Sequence, residues 1–99
     1  LMCERMSALF DKIRVAVDEG RYLIGLHAAN QLDDRGIADW QIVAGLEEGT
    51  LLRERPSDRP NPAVEVEQIL ADGTPIKAVW SWLPQHRAAK LVTVHYFDR

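Results

Sequence analysis

Apolar residues at Met6, Leu9, Phe10, Ile13, Ala16 and Val17 recur at helical spacing, which predicts a first helix over about residues 4–19. Gly20 stands where a helix commonly ends in a left-handed residue. A brief Tyr22-Leu23-Ile24 run leads to a second helix of roughly residues 27–34, which Gly36 closes. Ile37 and Ile42 have the spacing of a hydrophobic staple around a start at Ala38 or Asp39. Ile42, Val43 and Leu46 then form the apolar stripe of a third helix, ending at Gly49.

Beyond Gly49 the hydrophobic period falls from 3.6 to 2, the mark of strands. Residues 51–55 form the first. Pro56, Pro60 and Pro62 interrupt the pattern in a loop that holds Arg53, Arg55 and Arg59 at or near its entry, the most basic segment of the chain. Val64, Val66 and Leu70 alternate with Glu65, Glu67 and Ile69 in a second strand, and Asp72-Gly73 predicts a two-residue hairpin turn into a third strand over residues 76–83. There Ile76, Ala78, Trp80 and Trp82 share one face, opposite Lys77, Val79, Ser81 and Leu83. A loop over residues 84–89 precedes a last strand in which Val92, Val94 and Tyr96 oppose Leu91, Thr93, His95 and Phe97. Helices followed by a run of strands predict an α+β fold, with N-terminal helices packed on a four-stranded antiparallel sheet.

At 99 residues and 46% hydrophobic content the chain forms one domain with one core. A net charge of −3 argues against a protein that coats nucleic acid, which needs many Lys and Arg at phosphates. The charge is uneven, however. Residues 1–49 hold nine acids against five bases, and residues 50–99 hold six against seven, so an anion site is expected mostly in the C-terminal half. Cys3 is the single cysteine, which excludes an internal disulfide and is compatible with a reducing cytosol. No run approaches the roughly 18 apolar residues of a membrane span, and Glu4 and Arg5 stand where a secretory leader would be apolar, so the expected setting is cytoplasmic.

The candidate chemistry lies in His27, Arg35 and the last strand. On a helix that begins at His27, Arg35 falls about 80° round from it by the ~100° step per residue, so its guanidinium can lean over the same cleft. If the last two strands pair in register, Lys77, Thr93 and His95 share one sheet face, and Tyr96 points to the other. Imidazole, guanidinium and hydroxyl groups together suit metal-free phosphodiester cleavage. Each residue also has a purely structural reading: His27 as a cap or half-buried histidine, Arg35 as a partner of Asp33, Asp34 or Glu48, and Thr93 as a strand former. His86 is expected in solvent, and Trp40 lies off the stripe of helix three. No ligand-spaced His, Cys or carboxylate set and no glycine-rich phosphate loop occurs, so no metal or cofactor is expected.

In order along the chain, His27-Ala28, Arg35-Gly36-Ile37, Leu46 to Gly49, the proline-rich loop, Asp72-Gly73-Thr74-Pro75 and Val92-Thr93-Val94-His95-Tyr96 resemble a small bacterial family, domain of unknown function 4258. The resemblance covers about residues 20–98. That family resembles the RelE-like and barnase-like ribonuclease toxins, whose members often sit beside an antitoxin. The resemblance implies a toxin-type endoribonuclease in which the RNA 2′-hydroxyl attacks the adjacent phosphate. His27 would be the base, Arg35 and Lys77 would hold the phosphate, and Thr93 or Tyr96 would orient it, while Arg53, Arg55, Arg59 and His95 contact the strand. RNA and an antitoxin protein are the implied partners. Where the family often has His after the hairpin, this chain has Lys77, a phosphate holder but a poor proton shuttle near pH 7. That departure and the acidic net charge also fit a non-catalytic interaction domain that binds a protein through Trp40 or a sheet edge.

Overall fold

The computed structural model describes residues 8–97. Cys3 and the first residues of the predicted opening helix lie outside them. Among the described residues, three α-helices pack on one face of a five-stranded mixed sheet of order β1-β5-β4-β3-β2. The elements are α1 (Ala8–Asp18), β1 (Tyr22–Ile24), α2 (Leu26–Arg35), α3 (Asp39–Gly45) with a 3₁₀ turn (Leu46–Glu48), β2 (Thr50–Arg55), β3 (Ala63–Ile69), β4 (Pro75–Leu83) and β5 (Ala88–Tyr96).

The helical pattern is realised closely. Phe10, Ile13, Ala16 and Val17 of α1 are buried, as are Leu32 of α2 and Ile42 of α3. They meet Val64, Val66, Ile76, Ala78, Trp80, Leu91 and Val94 from the sheet in one core. Gly36 takes a left-handed conformation (φ 66°) that lets its own N–H reach Asp33 O and the Ile37 N–H reach Leu32 O at 2.9 Å, which closes α2.

Three expectations are corrected. The sheet has five strands, not four, because Tyr22–Ile24 pairs in parallel with Ala89, Lys90 and Leu91 of β5. Three residues are too few for a period to show, yet Ala89 N–H to Arg21 O and Gly25 N–H to Leu91 O fix the strand at both ends. The hairpin turn is longer than Asp72-Gly73. Gly73 N–H donates to Leu70 O and Leu70 N–H to Thr74 O, so Ala71, Asp72 and Gly73 form a three-residue loop with Gly73 at φ 90°. The Asp72 carboxylate accepts the Thr74 N–H at 3.0 Å, which holds its pKa below the ordinary carboxylate value, so this bond persists until the pH falls through that lowered pKa.

The third correction concerns β5. Val79 pairs with Thr93 but Trp80 with Leu91, which leaves Val92 as an extra residue in a β-bulge. Strict alternation would put Leu91 beside Thr93. The bulge instead turns Leu91 into the core with Val94 and puts Lys90, opposite Ser81, on the Thr93 face.

Gly25 marks a close approach where β1 gives way to α2. A Cβ there would lie 2.9 Å from Leu91 O and 2.9 Å from Lys90 Cε. The carbonyl belongs to the ladder that anchors β1 and cannot move freely, so Gly25→Ala is expected to cost about 1–3 kcal/mol by overpacking. Urea unfolding of the two proteins measures that loss.

Candidate functional site

α2 follows β1 along the part of the β5 edge that β1 leaves unpaired. Gln31 fills the gap: its Oε1 accepts the Val94 N–H at 2.7 Å and the Thr93 hydroxyl at 2.9 Å. A side-chain amide thus takes the place of a strand neighbour and locks α2 against the sheet. Gln31→Ala is expected to cost about 1–3 kcal/mol, because the Val94 N–H loses its acceptor. Faster hydrogen exchange at the Val94 amide, with less change at Leu91, checks it.

His27, Gln31 and Arg35 recur at intervals of four and form one ridge of α2. His27 lies on the first turn, exposed, with no ion pair or hydrogen bond to its side chain among the described residues. It is neither the cap, a place taken by Gly25, nor half-buried. Arg35, about 12 Å further along the axis at 1.5 Å per residue, ends the helix. Its guanidinium lies 5.3 Å from the centre of the Tyr96 ring and donates to Gln31 O at 3.5 Å, while its buried Nε has no partner. None of Asp33, Asp34 and Glu48 pairs with it among the described residues. The structure therefore joins Arg35 to Tyr96, and through Gln31 to Thr93, but leaves His27 two turns away.

The sheet face that carries no helix collects the other candidates. Lys77 pairs with His95 and Val79 with Thr93 across β4 and β5, as matching register requires. Arg53 and Arg55 come onto this face from β2, opposite Glu65 and Ala63. Glu65 neutralises two cations at once, with Arg55 Nη1 at 3.2 Å and Lys77 Nζ at 3.5 Å, and Arg55 Nε also meets Asp58 at 3.2 Å. Lys77 and Arg55 are thus held in ion pairs. Arg53, Arg59 and Lys90 carry no such pair among the described residues.

Residues 56–62 fold back over this face, anchored by the Trp82 N–H to Pro62 O bond at 2.9 Å. Between loop and sheet lies a cavity of about 200 Å³ whose wall includes Arg55, Asp58, Arg59, Ser81, Lys90 and Thr93. Lys90 and Ser81 are the residues that sequence reading missed. The signal was present in Leu91 and Val94, two apolar residues that both need burial at a spacing that one strand face cannot satisfy without a bulge. Lys90 also borders a second hollow, beside Leu23 and His86, and its stem crosses Gly25 at the start of α2. His86 is exposed in the β4–β5 turn.

The pattern that defines the family described as "Domain of unknown function (DUF4258)" matches residues 24–96, from the end of β1 to the end of β5. The chain belongs to that family. The match takes in the α2 ridge, the basic loop and the β5 bulge, so the family unit contains the whole arrangement above, and α1 lies outside it. No curated protein and no solved structure matches the chain. Within the described part of this family member, no cluster of three His, Cys, Asp or Glu side chains can hold a metal ion, and no helix is long and apolar enough to cross a membrane.

Proposed function

We propose that this domain is a metal-independent endoribonuclease of the toxin type, related in architecture to the RelE-like and barnase-like ribonucleases and acting in the cytoplasm. The observation that carries the reading is an exposed, unpaired imidazole at His27, on a helix that Gln31 bolts to Thr93 at the border of the cationic, helix-free sheet face. A ribonuclease of this kind needs a base for the 2′-hydroxyl and positive charge for the phosphate. His27 takes the 2′-hydroxyl proton as the new O2′–P bond forms, the P–O5′ bond breaks, and the departing 5′-oxygen takes a proton from water. The charge comes from the helix-free face, where Arg53 and Arg59 are free to follow the strand and Lys77 and Arg55 become available when a phosphate competes with Glu65. Arg35 and Tyr96 act together as a positioning pair that fixes the end of α2, and His95 lies beside Lys77 on the strand path.

Incubation of the purified protein with a mixed RNA in excess chelator tests the proposal. The expected products end in 2′,3′-cyclic phosphate, the consequence of 2′-hydroxyl attack, and intact RNA at high enzyme concentration would overturn it. A second reading, a non-catalytic domain that binds an antitoxin-like protein, draws on the exposed Leu26 (79%) and Trp40 (64%). Under that reading RNA stays intact, and Trp40→Ala abolishes association with the neighbouring gene's product.

A further inference from the structure

The cavity under residues 56–62 brings a serine hydroxyl and several cations onto one wall. Ser81 is 5% exposed, lies on the cavity wall, and its hydroxyl forms no hydrogen bond among the described residues. Its oxygen is not sealed off, so on the cavity wall the hydroxyl is open to donate to a ligand. In a chain of net charge −3, the wall carries three cations, Arg55, Arg59 and Lys90, against one carboxylate, Asp58. Asp58 is itself occupied by Arg55, which leaves the charge of Arg59 and Lys90 uncompensated. The Lys90 stem runs past Gly25, its Cε where a Gly25 side chain would stand, which brings the ammonium close to the positive end of α2. Two positive poles side by side repel each other unless an anion lies between them.

We infer that this cavity is a phosphate-binding subsite, with Lys90 and Arg59 meeting the charge and the Ser81 hydroxyl donating to an oxygen. At about 200 Å³ it is below the roughly 300 Å³ at which drug-sized pockets begin, and Val79 and Val92 give it an apolar side. Those dimensions suit one phosphate with its attached ribose. The nuclease reading enters only in naming the source, an RNA backbone phosphate next to the one cleaved, because the cavity is lined by Thr93, to which Gln31 of α2 is bonded.

Calorimetry and amide NMR titration with inorganic phosphate, a ribonucleoside 3′-monophosphate and a 2′-O-methyl oligoribonucleotide test the assignment. Shifts should centre on Ser81, Lys90 and Thr93. Lys90→Gln should weaken nucleotide binding at least tenfold, and Ser81→Ala by about two- to tenfold, with melting temperatures confirming that both variants fold. Tighter binding of the oligonucleotide than of inorganic phosphate identifies RNA as the source, and equal binding identifies free phosphate. Shifts elsewhere, or an affinity unchanged in the Lys90→Gln, Arg59→Gln double variant, would overturn the subsite. The nuclease reading fails separately: phosphate bound here while RNA stays uncut removes the nuclease and keeps the subsite, and RNA cut equally well by the double variant does the reverse.

Discussion

His27→Ala is expected to lower RNA cleavage by about 10²- to 10⁴-fold, the usual contribution of a positioned general base. The side chain is exposed and makes no ion pair or hydrogen bond among the described residues, so its removal should leave the unfolding free energy within about 0.5 kcal/mol of the parent. Loss of rate without loss of stability separates chemistry from folding. His27→Gln should be equally slow, because an amide keeps the shape and hydrogen bonding but cannot take the proton. Arg35→Ala should behave differently. Removal of the guanidinium frees the Tyr96 ring and the Gln31 carbonyl, loosens the end of α2 and lowers both stability and rate. Rates measured in chelator, at saturating and at low RNA, distinguish the two. A His27→Ala protein that cuts at the parental rate would remove the imidazole from the mechanism.

The contrast between His27 and Arg35 shows which parts of the site were legible. The helix that carries both follows from its apolar positions and from Gly36, and so does their presence on one side. The distance between them along the axis was also implicit in the spacing, and at about 12 Å it separates them into two places instead of one cleft. The ring under Arg35 is another matter. Tyr96 reaches α2 because β5 lacks a neighbour beyond Leu91, and that edge exists because β1 is only three residues long. A parallel strand of that length has no periodic signature, and its partner lies some 67 residues away in the chain, as in the pair Tyr22 and Ala89. The same holds for Lys90. Its side depends on the extra residue at Val92, and parity reasoning inverts at a bulge. Local pattern therefore specified the helices, the strands β2 to β5 and the facing of β3 and β4, while the strand edge and the bulge, which are tertiary, decided what surrounds the candidate site.

Gln68 is the clearest case of a residue whose role only packing reveals, and its replacement is expected to be the most damaging to stability. It sits on β3 between Val66 and Leu70, on the side that faces the helices, at 1% exposure. Its Nε2 donates to Ile42 O at 2.8 Å and its Oε1 accepts the Trp80 indole N–H at 3.0 Å, so one amide joins α3, β3 and β4. Gly45 passes close by, where a Cβ would come within 3.2 Å of Nε2. Gln68→Leu keeps the bulk but leaves a carbonyl and an indole N–H buried without partners. At about 1–3 kcal/mol for each of the two orphaned groups, the loss is about 2–6 kcal/mol, or roughly 10–40 °C in melting temperature for a domain of this size. Trp80→Phe in the Gln68→Leu background removes one orphan and should recover part of the loss, whereas Trp80→Phe alone is destabilising. That sign reversal in a double-mutant cycle is the signature of a buried polar pair, as distinct from simple core filling. Additive losses, or a Gln68→Leu protein as stable as the parent, would mean that the amide is dispensable and that α3 is held to the sheet by its apolar residues alone.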